Sequence, residues 1–324
     1  MLTRSIALIG ALAAYPAAGA PTFSTPVDCE LGTSCFVQNY VDHDPGPGHQ
    51  DHSCGPLSYD GHKGTDFALP SLLAMQEGVD VLAAADGVVT GTRDGMADRL
   101  FRVENSPALN GRDCGNGVVV DHGDGWVTQY CHMKQDSVAV AQGDQVRRGQ
   151  PLGEIGLSGR TQFPHLHISV RHNDQVVDPY SADTSGPAPD QCKGPHRSLW
   201  EAPLAYVPGG LIRAGFDVTI PAYEDVKSGI AGRAEIPSQA KALVLFAYAY
   251  GSRANDILEL LISGPEGEIF SHEVTLEKAQ AQYFRAGGKR TPMGGWPKGA
   301  YLGHVRILRD GKVLDHSEVP LTIQ

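Results

Sequence analysis

Short β-branched runs broken by glycine constrain this chain more than any other feature. Between residues 56 and 182 such runs fall at 79–91, 117–132, 145–156, 166–170 and 176–180. Runs this short, bounded by turn residues, form strands rather than long helices. The 39 glycines and 22 prolines supply the turns between them. A mostly antiparallel β domain is therefore expected over residues 56–182. Residues 183–204 contain Ser185-Gly186-Pro187-Ala188-Pro189, a linker signal. Beyond it, runs at 216–220, 242–250, 257–263, 301–309 and 313–323, the last two joined by an Asp310-Gly311 turn, predict a smaller β-sandwich module over 205–324. The expected class is all-β.

The N-terminus reads as a secretory signal over residues 1–20. Arg4 gives a positive start, residues 5–14 an apolar core, and Ala18-Gly19-Ala20 a small-residue cleavage site, so Pro21 is the expected mature start. That apolar core is shorter than the roughly 20 residues a spanning helix needs, and no later run reaches that length. Six cysteines follow, Cys29, Cys35, Cys54, Cys114, Cys131 and Cys192. An even count in an exported chain suggests disulfides. Residues 117–121 and 126–131 read as a hairpin turning at 122–125, which brings Cys114 within bridging reach of Cys131. Cys29 and Cys35 can close a small loop, which leaves Cys54 with Cys192. The rival is a four-cysteine zinc site, for which no C-x-x-C spacing occurs. Signal and disulfides together predict a periplasmic protein; a secreted one fits the same features.

Charge excludes one class of partner. The formal net charge is -11, from 26 basic and 37 acidic residues, so nucleic acid is not an expected partner. Residues 21–204 hold 12 basic and 24 acidic side chains, whereas 205–324 hold 13 of each. The acidity thus belongs to the N-terminal part.

Three elements carry chemistry: His62-Lys63-Gly64-Thr65-Asp66-Phe67, Tyr130-Cys131-His132 and Pro164-His165-Leu166-His167. A metal that polarises a carbonyl needs three protein ligands and one open position, and imidazole with carboxylate suits zinc. On an extended chain, positions two or four apart share a face, so His62 with Asp66 and His165 with His167 can each converge, with Leu166 turned into the core. His132 ends its hairpin strand on the face opposite Cys131. Each piece alone is common; all three within about a hundred residues are not. Spacing alone leaves open which histidine of the His165/His167 pair ligates.

At these residues the chain resembles the lysostaphin/LytM-type zinc metallopeptidases, which cut peptide bonds in bacterial peptidoglycan. The family pattern is H-x-G-x-D, then Y-x-H, then H-x-H, and all three are present. Residues 83–89, 143–150 and 156–159 resemble the family's flanking strand and glycine-rich turns, and the likeness covers roughly 56–182. The resemblance implies a LytM-type β domain in which His62, Asp66 and His167 bind one zinc ion, with water in the fourth position. It implies that His132 and His165 stand beside the metal as catalytic groups without binding it. The implied activity is zinc-dependent endopeptidase action on peptidoglycan stem peptides or cross-links. A non-catalytic activator of another wall hydrolase, and a zinc peptidase acting on a non-wall protein, are the rivals; such activators usually lack metal ligands, and here none is missing. One departure is the bulky Gln162-Phe163 before Pro164-His165, where the family often has a small residue.

The segment 21–55, rich in Asp, His, Pro and Gly, reads as an irregular, disulfide-tied surface stretch. Its His43, His49 and His52, with Asp42, Asp44 and Asp51, fit an ordinary loop, or else a strap over the cleft that offers an inhibitory ligand. His122 is expected in a turn. In the accessory module, Trp200, Tyr248, Tyr250, Tyr283, Trp296 and Tyr301 read as core or interface aromatics rather than a glycan platform.

Overall fold

The computed structural model describes residues 20–182 and 197–324. Residues 1–19 of the expected signal, the linker residues 185–189 and Cys192 lie outside the described residues. Among those described, strands dominate, as the punctuated β-branched runs require. The first part contains β1 (Phe36–Asn39), β2 (Thr65–Ala68), β3 (Asp80–Leu82), β4 (Gly87–Arg93), β5 (Asn116–Gly123), β6 (Trp126–Met133), β7 (Gln145–Val146), β8 (Pro151–Glu154), β9 (His165–His172) and β10 (Gln175–Val177). One sheet runs in the order β1-β2-β9-β6-β5-β4-β7, with β10 on β9, and a small second sheet pairs β3 with β8. Every pairing in both sheets is antiparallel.

The expected hairpin is β5–β6, and it carries a Cys114–Cys131 disulfide with Cα atoms 4.8 Å apart. Cys29 and Cys35 are also bonded to each other. Cys54 is disulfide-bonded too, and its expected partner is outside the described residues.

The segment 21–55 is less irregular than its composition suggests. β1 forms the edge of the main sheet and is buried along its whole length. Its neighbours fold inward as well: Phe23, Val27 and Tyr40 are in the core. The acid- and histidine-rich stretch turns on its own carboxylates. Asp42 accepts the Asp44, Gln50 and Gly61 amides, and Asp51 those of Ser53, Gly55 and Leu57. His43 Nε2 lies 2.7 Å from Asp178 Oδ2, and His52 stacks on Tyr180.

The C-terminal module holds β11 (Gly210–Asp217), β12 (Glu235–Ile236), β13 (Ala242–Ser252), β14 (Ile257–Gly264), β15 (Gly267–Thr275), β16 (Gln280–Arg290), β17 (Gly299–Arg309) and β18 (Lys312–Ile323). They form a three-stranded sheet, β11-β13-β16, against a five-stranded one, β12-β18-β17-β14-β15, with a hydrophobic core between them. Trp200, Tyr248, Tyr250, Tyr283, Trp296 and Tyr301 are all buried, which suits packing roles and leaves no aromatic platform among them.

Candidate metal centre

Register across three strands builds the centre. Asp66 on β2 lies directly opposite His167 on β9, and Cys131 on β6 lies opposite His167 on the other side. Directly opposed residues share a face, so Asp66 and His167 converge. His165, two positions from His167, joins that face, while Leu166 points away into the core with no exposure. His62, just before β2, reaches the same point. The glycine between His62 and Asp66 is a steric necessity. A Cβ on Gly64 would sit 2.5 Å from the Ile168 carbonyl and 2.6 Å from His167 Nε2.

Three ligand atoms meet. His62 Nε2 is 3.1 Å from Asp66 Oδ1 and 3.1 Å from His167 Nδ1, and His167 Nδ1 is 2.8 Å from Asp66 Oδ1. Among the described residues this trio is the group whose donor atoms lie close enough to share one ion. The chemistry of the set fits zinc. His62 Nδ1 is 2.7 Å from the Tyr40 carbonyl. A carbonyl only accepts, so the proton sits on Nδ1 and the Nε2 lone pair faces the Asp66 carboxylate. Two acceptors 3.1 Å apart in a buried pocket repel unless a cation or proton lies between them. Outer contacts orient the ligands. Asn39 Nδ2 donates to Asp66 Oδ2 at 2.9 Å, and His167 Nε2 is 3.1 Å from Ser169 Oγ. Burial alone would raise the Asp66 carboxyl, yet His62, His165 and His167 outweigh it and hold it well below the usual carboxylate range. Burial likewise pulls His62 down, but Asp66 and the Tyr40 carbonyl reverse that and raise it.

His132 and His165 form the second half of the site. Strict alternation after Cys131 would turn His132 away from His167. Instead its backbone is left-handed, with φ 64°, and its ring lies 4.7 Å from that of His165. Such a conformation costs a non-glycine residue on the order of 1–3 kcal/mol. It is held by His132 N donating to the Cys114 carbonyl at 2.8 Å, by Gly156 N donating to the His132 carbonyl at 3.0 Å, and by the adjacent disulfide. His132 Nδ1 donates to the Ser158 carbonyl at 2.8 Å, and His165 Nδ1 to the Phe163 carbonyl at 2.9 Å. Both rings therefore present Nε2 lone pairs. Burial, then the neighbouring His165 and His167, put His132 well below the ordinary imidazole value; burial also lowers His165.

Several contributors carry no motif. The backbone carbonyls of Tyr40, Ser158 and Phe163 fix three rings, and no side-chain pattern encodes that. Phe163 also stacks on His165 at 4.4 Å, so the bulky residue at the departure from the family pattern lies against a site histidine. Tyr59, half exposed, packs over His62 at 4.3 Å. Tyr130 of the Y-x-H element serves the frame: its hydroxyl accepts from Ala84 N at 2.8 Å, and burial pushes its phenol up to about 12. The strap from residues 42–52 supplies no ligand to the trio. His122 sits beside its turn but ties strands together, with Nδ1 2.7 Å from the Asp86 carbonyl and Nε2 2.8 Å from Thr128 Oγ1.

Known proteins give the same segment a context. Residues 60–179 match the model of Peptidase family M23. A peptidoglycan DD-endopeptidase of Vibrio cholerae, ShyA, is 38% identical over 109 residues, which is 34% of this chain and 20% of that protein. The DD-carboxypeptidase/endopeptidase Mpg of Neisseria meningitidis is 35% identical over 122 residues, 37% of this chain and 22% of its own length. The chain thus spans about a fifth of these relatives. A solved zinc-containing peptidase from Vibrio cholerae aligns over 48% of this chain and 39% of its own, at 27% identity and a TM-score of 0.33. The match to the model of Peptidase family M23 over residues 60–179 spans all three histidine-bearing motifs.

Proposed function

We propose that this chain is an exported zinc-dependent endopeptidase that hydrolyses peptide bonds of bacterial peptidoglycan. The carrying observation is the meeting of His62 Nε2, Asp66 Oδ1 and His167 Nδ1 beside two further histidines, each anchored through Nδ1 to a backbone carbonyl. Zinc held by that trio would polarise the scissile carbonyl and lower the pKa of water toward about 7. His132 and His165 move protons. Each is anchored through Nδ1 and kept neutral by burial, so each Nε2 can accept a proton from the attacking water. Once protonated, the same nitrogen can stabilise the oxyanion or protonate the leaving amine. His62, Asp66 and His167 are assigned as ligands, and His132 and His165 as the proton-handling pair. Residues 56–182 are the peptidase unit and 205–324 the accessory sandwich. The disulfides support export to an oxidising compartment such as the periplasm. Among the described residues no helix is long and apolar enough to cross a membrane.

Zymography on purified sacculi tests the reading. Clearing is expected and a chelator should abolish it. His167→Ala should lose zinc, whereas His132→Ala should keep zinc and lose turnover. Chelator-insensitive stimulation of another hydrolase, with no clearing by this chain, would replace the peptidase reading with that of an activator.

A further inference from the structure

The connection between β4 and β5, residues 94–115, is long and holds only two short helical turns, Val103–Asn105 and Ser106–Leu109. It is firmly pinned. Asp94 accepts the Gly95, Asp136 and Val138 amides at 2.6, 2.8 and 3.0 Å, and Asp98 those of Gln135 and Leu157 at 2.9 and 2.7 Å. The Asn116 side chain holds both the N–H and the carbonyl of Met96 at 2.8 Å. Both carboxylates are thus engaged by backbone amides. Beside them opens a groove of about 470 Å³ lined by Arg93, Arg99 and Arg112 and by the apolar Met96, Leu100 and Phe101. Three arginines lining one groove run against a region that carries 24 acidic and 12 basic side chains; Arg93 Nη1 donates to the Gly115 carbonyl and Arg112 Nε to the Leu109 carbonyl, each at 3.1 Å. Asp94 is the acidic residue in the lining, and among the described residues neither Arg93 nor Arg99 has a carboxylate at ion-pair distance.

The groove shares a wall with the histidine cluster. Arg99 N donates to the Leu157 carbonyl at 3.1 Å and Phe101 N to the Thr161 carbonyl at 2.7 Å, and Gly159 lines the groove itself. The same stretch offers the Ser158 carbonyl to His132 and Thr161 Oγ1 to His165. A ligand lying in the groove is therefore separated from the proton-handling pair by one chain segment.

Guanidinium forks bind carboxylates in two-point contacts, and the apolar flank suits short aliphatic side chains. We propose that Arg93, Arg99 and Arg112 form a subsite for the carboxylates of the peptide substrate, so that stem peptides with free acid groups are selected over amidated ones. This rests on the wall-peptidase reading and names the chemistry by which that substrate is chosen.

The test is calorimetric titration of the zinc-loaded full chain with L-Ala-γ-D-Glu-meso-diaminopimelyl-D-Ala and with its amidated form. The parent should bind the free acid about tenfold or more tightly than the amide, as loss of a charge-assisted contact implies. Arg99→Gln and Arg112→Gln should each shrink that preference, and the double variant should bring the two peptides to parity with zinc content unchanged. Arg99→Lys, which keeps the charge and loses the fork, should fall between. Added salt should weaken only the free-acid complex. Equal binding of both peptides by the parent, no binding of either, or a double variant that keeps the parental preference overturns the subsite. Those results leave sacculus hydrolysis standing, whereas peptide selection without any hydrolysis of sacculi defeats the peptidase reading alone.

Discussion

Asn39→Ala tests how the centre is built from outside the three motifs. Asn39 Nδ2 donates to Asp66 Oδ2 at 2.9 Å, and the carboxylate is 2% exposed. Removing the amide strips a donor from a buried charge and frees the carboxylate to rotate about the bond that aims Oδ1 at His62 and His167. A hydrogen bond to an ionised group contributes about 1.5–3 kcal/mol. At 1.4 kcal/mol per factor of ten, that is about 10- to 100-fold in zinc affinity, the usual size of an outer-contact loss. Competition against a chromophoric chelator at fixed pH reads it, with the melting temperature of the metal-free protein as the check on folding. Asn39→Asp should be worse, because a second carboxylate beside Asp66 favours protonating one of the two. A folded Asn39→Ala protein whose zinc affinity stays within about twofold of the parent would refute the argument that β1 orients the ligand.

Three further outcomes are expected. Tyr130→Phe should destabilise the domain by about 1–3 kcal/mol in urea unfolding, since it leaves the buried Ala84 amide without its acceptor, while zinc content stays unchanged. Replacing Cys114 and Cys131 together by Ser should cost about 3 kcal/mol for a crosslink spanning 17 residues, read as a lower denaturant midpoint; turnover should fall further than stability accounts for, because His132 N hangs on the Cys114 carbonyl. Metal-free protein should lose stability on acidification. Burial and the neighbouring histidines depress His132, so the unfolded chain takes up that proton first as pH falls below about 6.5, and the contribution is complete above that value. His132→Gln should flatten the decline of the urea midpoint below about pH 6.5, where an unchanged slope would contradict the assignment.

The parts of the fold that repeat with period two were legible in the sequence. β5, β6, β9, β13, β14, β17 and β18 all fall on recognisable β-branched runs, and the side-chain spacing placed His62, Asp66, His165 and His167 where the sheet gathers them. What escaped has identifiable causes. β1 is four residues long and includes a buried Gln38 and Asn39, so it lacks an alternating apolar signature. β16 carries Gly287 and Gly288, weak strand formers that are needed here: a Cβ on Gly288 would sit 2.1 Å from the Leu243 carbonyl of the neighbouring strand. His132 reaches its partners through a left-handed backbone that simple alternation cannot foresee. The ring anchors at Tyr40, Ser158 and Phe163 are carbonyls, which every residue possesses.

β1 also explains why the accessory module packs where it does. Its alternate residues face two ways. Asn39 meets Asp66, whereas Phe36 packs on Tyr250 at 4.5 Å and Gln38 donates to the Ala281 carbonyl at 2.9 Å. Gln282 Nε2 donates back to Gln38 Oε1 at 2.9 Å, so a fully buried amide is satisfied entirely by the module. An unmatched buried amide would cost on the order of 1–3 kcal/mol, so the module's two hydrogen bonds stabilise this edge of the sheet. Nearby, Tyr206 donates to Asp51 Oδ2 at 2.8 Å, which ties the start of the module to the loop below Cys54. On the far side, Lys227 and Tyr248 line a crevice with Phe163, the residue stacked on His165. The module therefore packs on β1, the strand whose Asn39 holds the Asp66 carboxylate, and lines a crevice together with Phe163. A freely tethered domain would not satisfy Gln38 in this way, so the sandwich braces the strand that presents Asn39 to Asp66.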